Sequence, residues 1–267
     1  MEARRVLAEQ GKAFWQNSLG DAYYHGEGVA QDREVAVEWY RKAAEQDDAN
    51  AQQMLGYAYY NGEGVFIDRE IAVAWYRKAA EQGHAPSQDS LGDAYYDGRG
   101  VTRDREVAVE WWRKAAEQDD GNAQYSLGYA YYHGEGVAQD REVGVTWLYK
   151  SAKQGNAGAQ QLLGEESKCK GDHSAAARWH RRAAEQGHAP SQASLGCAYY
   201  NGEAVGIDRE VAVWWWRKAA EQGDADAQYN LGCSYYDGEG VGMDREAATK
   251  WLRKAAEQGI EDAQSML

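Results

Sequence analysis

The feature that most constrains this chain is its likeness to itself. The dipeptide Leu-Gly recurs at Leu19, Leu55, Leu91, Leu127, Leu163, Leu195 and Leu231, at spacings of 36, 36, 36, 36, 32 and 36 residues. The last residue, Leu267, falls 36 after Leu231. Trp follows Leu by 20 residues at Trp39, Trp75, Trp111, Trp147, Trp215 and Trp251; in the fifth copy Trp179 follows after only 16. Chance does not produce seven registered copies, so the chain is read as an array of units that bury their apolar faces against one another. The aromatic composition agrees: 19 Tyr and 11 Trp against 2 Phe is what a few positions copied many times would give.

Each unit reads as two helices. In the first (helix A), Ala51, Leu55, Ala58 and Tyr59 follow helical spacing. Gly56 lies inside it, at a cost of about 1 kcal/mol relative to Ala, so close approach of a neighbour, expected to be the large Trp, must require it. Gly62 fits a left-handed helix stop and Gly64 a second turn position. Asp68 is placed to cap the second helix (helix B), with Glu70 in its first turn. Helix B carries Ala72, Trp75, Ala79 and Ala80 on its inner face and stops at Gly83. Pro86 and Pro190 fall in the first turn of A helices, where a missing N–H costs nothing.

The pattern Ala-x-x-x-Leu-Gly-x-x-Tyr-x-x-Gly-x-Gly-Val-x-x-Asp-x-x-x-Ala-x-x-Trp-x-x-Lys-Ala-Ala-x-x-Gly, best seen from Ala51 to Gly83, resembles the Sel1-like repeat, a relative of the tetratricopeptide repeat. The resemblance covers residues 8–267. It implies an all-α fold, a right-handed α/α superhelical solenoid whose A helices line the concave side. It also implies an adaptor or scaffold role; family members act in degradation complexes, bacterial signalling, envelope assembly and host–microbe contact. One domain is expected over residues 1–267, with units at 12–47, 48–83, 84–119, 120–155, a shortened 156–187, 188–223, 224–259 and a partial 260–267. Residues 2–10 read as the end of a B helix, and neither end carries an obviously polar cap, as in a piece of a longer array.

Positions that repeat build the solenoid, so positions that vary on the same helix are free for recognition. On the A helices these lie two before, two after and six after the Leu. They include Asp21, Gln53, Tyr57, Asp89, Asp93, Asp97, Tyr125, Tyr129, Glu165 and Tyr229, the expected partner-binding residues. Three Asp at i, i+4, i+8 flanked by tyrosines suit a basic segment, through ion pairs and cation–π contacts.

Charge sharpens the expectation. The chain has 43 acidic and 29 basic side chains, net −14, which argues against nonspecific nucleic-acid binding. Residues 20–127 carry 21 acids and 11 bases, and residues 196–267 carry 13 and 7. Residues 128–195, with 7 acids and 8 bases, include Lys168, Lys170, Arg178, Arg181 and Arg182, a candidate second contact site. No stretch approaches the ~20 apolar residues of a membrane helix. The start of the chain has no apolar run of the kind a secretory signal carries. Three Cys fit a reducing compartment, so cytoplasmic residence is expected.

Chemistry finds little purchase. Cys169, His173 and His180 match no standard zinc spacing. Cys197 and Cys233, one repeat apart, are expected to stay free thiols. Ser167 and Lys170 match Ser-x-x-Lys without the companion motifs of penicillin-recognising enzymes. Glu27, Glu63, Glu135 and Glu239 in the Gly-x-Gly loops would repel phosphate. Trp214 is expected to be exposed, and Trp112 and Trp216 to pack between B helices. The chain is thus read as a non-enzymatic protein-binding scaffold with no cofactor or metal. Two alternatives stand beside it: an architectural solenoid that self-associates end to end, and a hydrolase-like enzyme using the fifth repeat.

Overall fold

The computed structural model describes residues 1–203 and 206–267, and among them finds sixteen helices and no strand. Two compact units are distinguished, Met1–Trp147 and Leu148–Leu267.

The first unit is a stack of antiparallel helix pairs. It runs through α1 (Glu2–Glu9), α2 (Ala13–His25), α3 (Arg33–Ala44), α4 (Ala49–Asn61), α5 (Arg69–Glu81), α6 (Ala85–Asp97), α7 (Arg105–Ala116), α8 (Gly121–His133) and into α9 (Arg141–Lys153), within which the division falls. The even-numbered helices are the A helices. Start and stop signals act as expected. Asp32, Asp68 and Asp104 accept the backbone N–H of Val35, Ile71 and Val107, satisfying orphan donors at each B-helix start. Gly62 closes α4 in the left-handed region at φ 75°. Where Gly83 follows α5, Asp47 and Asp119 stand after α3 and α7, at φ 63° and 64°.

The second unit repeats this in α10 (Ala157–Cys169), α11 (His173–Glu185), α12 (Ala189–Asn201), α13 (Arg209–Glu221), α14 (Ala225–Asp237), α15 (Arg245–Glu257) and the short α16 (Glu261–Ser265). Pro190 sits in the first turn of α12, as Pro86 does in α6. The fifth repeat joins α10 to α11 through Lys170–Asp172 alone, where the first four repeats and the seventh have a Gly-x-Gly sequence.

The core corrects one expectation. The helix-A glycine lies under the residue after the repeat Trp. A Cβ on Gly56 would meet Tyr76 Cδ1 at 2.6 Å, and one on Gly92 would meet Trp112 Cδ1 at 2.5 Å. In the second unit Gly164 faces His180 at 2.6 Å and Gly196 faces Trp216 at 2.5 Å. Trp112 and Trp216 therefore press on an A helix rather than packing between B helices, and both are buried. The repeat Trp is instead mostly half-buried with a cation over its face. Lys42, Lys78 and Lys114 lie 4.0, 4.1 and 3.9 Å from the Trp39, Trp75 and Trp111 ring centroids. Spacing of i,i+3 on a helix brings them together. Trp214 is exposed as expected, under Lys218.

A buried glutamine three residues before each Leu builds a second recurring contact. In the first unit Gln52 donates to the Ala44 carbonyl (3.1 Å) and accepts from Gln82 (2.8 Å); Gln88 does so with Ala80 and Gln118 (3.0 and 2.8 Å). In the second unit Gln192 pairs likewise with Ala184 and Gln222 (3.1 and 2.8 Å). An unmet buried amide would cost about 1–3 kcal/mol, so these rungs fix how successive hairpins meet.

Candidate partner-binding surface

In the first unit the variable A-helix positions are unevenly exposed. Asp21 on α2 is half-buried and accepts the Tyr40 hydroxyl at 2.9 Å. Gln53 on α4 is held by Ser87 (2.5 Å) and Ser90 (3.3 Å) of α6, which brings it beside the acidic helix. Tyr57 is 39% exposed. On α8, Tyr125 and Tyr129 lie with ring centroids 6.2 Å apart, and Tyr129 packs against His133 with centroids 4.3 Å apart and the rings tilted by 43°.

The three aspartates of α6 differ from one another. Asp97 is paired with Arg99 at 3.4 Å. Asp93 is open to solvent yet ringed by protein, and accepts the Trp112 indole N–H at 3.0 Å. Desolvation outweighs that hydrogen bond and, with Asp97, pushes its carboxyl up to about 6. Asp89 is half-buried, and its buried Oδ1 has no hydrogen-bond partner. Desolvation first, then the Asp93 and Asp120 charges, push it up to about 8.

In the second unit Glu165 is exposed and accepts from Gln161. Tyr229 is half-buried beside Cys233, whose Sγ lies 3.8 Å from Met266 Sδ. The three cysteines are free. Ser167 donates its hydroxyl to the Leu163 carbonyl at 2.7 Å, and Lys170 pairs with Glu166 at 2.9 Å, so each member of the Ser-x-x-Lys match is engaged in its own helix region. Among the described residues no group of three or more His, Cys, Asp or Glu could hold a metal ion.

The loop glutamates have a role that reasoning from phosphate chemistry missed. Glu63 accepts the Tyr24 hydroxyl and pairs with Arg33 (3.7 Å), both of the preceding repeat. Glu135 does the same with Tyr96 and Arg105 (3.3 Å), and Glu239 with Tyr200 and Arg209 (3.6 Å). The third repeat carries Arg99 at this position, and it donates to Tyr60 at 3.0 Å. In the fifth repeat Lys168 and His173 stand where Tyr and Arg stand elsewhere, and they meet Glu203 at 3.6 and 3.5 Å. Arg181 donates to Tyr199 (2.7 Å) and Arg182 lies over Trp179. Much of the basic cluster is thus engaged in repeat-to-repeat and intrahelical contacts. The signal was available as co-recurrence of the second Tyr, the loop Glu and the helix-B Arg.

The Sel1 repeat family model matches residues 16–48, 49–84, 85–120, 121–156, 158–188, 189–224 and 225–260. The chain belongs to the Sel1 repeat family. Its fold is the all-helical, tetratricopeptide-like solenoid of that family. It is similar over its whole length (35% identity, TM-score 0.75) to a protective antigen of uropathogenic Escherichia coli strains with an SLR fold, and spans 66% of that chain. It is similar over 98% of its length (35% identity, TM-score 0.79) to a Sel1 repeat protein from Oxalobacter formigenes, of which it covers 77%. An immunity protein from Pseudomonas aeruginosa, 21% identical with a TM-score of 0.53 over 80% of this chain and 82% of that one, shares the fold. None of the curated proteins matches. No helix among the described residues is long and apolar enough to cross a membrane.

Proposed function

We propose that this Sel1-repeat protein is a non-catalytic adaptor, its seven repeats forming one interaction domain that binds basic protein segments along the A-helix face. Asp89 carries the reading: its carboxyl is half-buried, has one oxygen without a hydrogen-bond partner, and lies one helical turn from Asp93. A Lys or Arg side chain would supply the missing donor and favour the ionised form of a carboxyl that burial and the Asp93 charge otherwise keep protonated. Tyr57, Tyr125 and Tyr129 offer aromatic faces, with Asp21 and Gln53 extending the stripe in the first unit; Glu165 and Tyr229 are the corresponding candidates on the A helices of the second. The three free thiols support residence in a reducing compartment such as the cytoplasm.

The test is binding of a fluorescent Lys/Arg-rich peptide to the wild type and to the triple variant Asp89→Asn, Asp93→Asn, Asp97→Asn. Affinity is expected to fall about tenfold, on the order of 1.4 kcal/mol, with helical circular dichroism unchanged. Unchanged affinity would remove the acidic stripe from the binding surface. Light scattering over a concentration series separates the adaptor from a self-associating solenoid, whose mass would climb with concentration.

A further inference from the structure

The second unit contains a cavity of about 250 Å³ between α12, α13 and α14. Two of its lining positions carry smaller side chains than their counterparts in other repeats. Cys233 stands where α4 has Tyr57 and α8 has Tyr129; Cys197 stands where α6 has Asp93. Without that carboxylate, the Trp216 indole donates to the Ala193 carbonyl at 3.2 Å, whereas Trp112 donates to Asp93.

The lining specifies an occupant. Trp216 and Tyr200, with ring centroids 5.3 Å apart, form an aromatic wall. Asn201 and Asn230 direct their amide N–H groups to Glu203 (3.2 Å) and Cys197 Sγ (3.9 Å), which leaves their oxygens as acceptors. Asp237 also lines the cavity, is exposed, and makes no hydrogen bond or ion pair among the described residues. Among the described residues none that lines the space is cationic. Glu239 is paired with Arg209, whose guanidinium lies 5.3 Å from the Tyr200 ring centroid, so Asp237 is the carboxylate left to a ligand, and residues 196–267 carry 13 acids against 7 bases. Water in bulk takes about 30 Å³ per molecule, so the cavity has room for about eight non-hydrogen atoms, close to the seven of an arginine side chain beyond its Cα. A guanidinium is flat, stacks on aromatic rings and spreads five donors over several acceptors, which an ammonium does not.

We propose that this cavity receives a single arginine side chain presented by a partner segment. The inference rests on the protein-binding reading but on other residues than the acidic stripe of α6, so the two fail separately.

The free thiols serve as reporters. The full chain is treated with iodoacetamide in the presence of acetyl-Gly-Gly-Arg-Gly-Gly-amide, and alkylation of each cysteine is followed by mass spectrometry. At about 10 mM peptide, alkylation of Cys197 and Cys233 is expected to slow about fivefold, as for a weak single-side-chain contact. Cys169, exposed and outside the cavity, should react as before. The peptide with citrulline in place of arginine keeps the shape and loses the charge, and should give no protection; the lysine peptide should give much less. Cys233→Tyr fills the space with the residue used at the same register in α4 and α8, and should abolish protection of Cys197. Asp237→Asn, on the surface, should weaken it without threatening the fold. Protection should persist in the Asp89, Asp93, Asp97 triple variant. No protection, or equal protection by the citrulline or lysine peptide, overturns the arginine assignment, even where the triple variant loses its basic peptide.

Discussion

The third and the fifth repeats solve the same packing problem with different chemistry. In the third, Gly92 lies under the Trp112 indole, whose N–H is met by Asp93, and Arg99 reaches the Tyr60 hydroxyl. In the fifth, Gly164 lies under the His180 imidazole, whose Nδ1 is buried without a partner, and Lys168 with His173 meets Glu203. What is kept is the position: a planar ring over a glycine, and a polar pair where one hairpin meets the next. A solenoid needs these contacts at each interface but not a particular side chain to make them, and that is how a repeat can shed its loop and still stack.

The largest effect should come from the ring-over-glycine contact. Gly92→Val places a branched side chain where even a Cβ would lie 2.5 Å from a buried indole, and is expected to destabilise by about 2–3 kcal/mol in denaturant titrations. Gly164→Val should cost less, because imidazole is smaller than indole and has more room to shift. Equal losses would mean that the backbone and not the ring sets the clearance.

The next contrast is in pH dependence, where the two repeats carry opposite signs. Burial lowers His180 to about 4, helped by the Lys168 charge. Between pH 6.5 and 4 the unfolded chain binds the proton that the folded chain refuses, so the fifth repeat loses stability as pH falls through that window, on the order of 3 kcal/mol. His180→Tyr, the residue at this position in the first two repeats, should flatten that loss in melts across pH 4–7. Asp89 is raised to about 8, so there the folded chain holds a proton the unfolded chain has released. Its contribution falls as pH rises from about 4 to 8, and Asp89→Asn should raise the melting temperature at pH 8 but not at pH 4. A variant that melts higher and binds basic peptide more weakly would separate the surface's function from its stability.

The smallest effect should come from the polar staple. Lys168 and Glu203 are partly solvated, so Glu203→Gln is expected to cost about 0.5 kcal/mol or less, readable as a salt-sensitive shift in midpoint.

Much of the fold was legible because its signals are local. The Asp68 cap and the Gly62 stop need only their own helix to act, and the Leu-Gly interval predicts the pairing of helices. Less legible was which of two adjacent aromatics covers the glycine: Trp75 and Tyr76 are both large and lie about 100° apart on the helix, and the choice belongs to the neighbour's backbone. The set of variable A-helix positions was likewise visible as variation against repetition. Its energetics were not, since nothing local pairs Asp93 with Trp112 or leaves Asp89 without a donor. The loop glutamates went unread for the same reason: their partners lie a full repeat away.

The glutamine rungs carry one more consequence. Most join residues 30 apart, and in the fifth repeat Gln186 still reaches Gln160 at 2.8 Å although the separation is 26. The hydrogen bond is blind to the four missing residues, because both ends are anchored in helices and the loop lies outside them. The length of the turn between helix A and helix B is therefore not what holds the two helices in register. A foreign recognition segment grafted there would leave the rungs in place, provided it keeps the turn's polar contact with the preceding repeat.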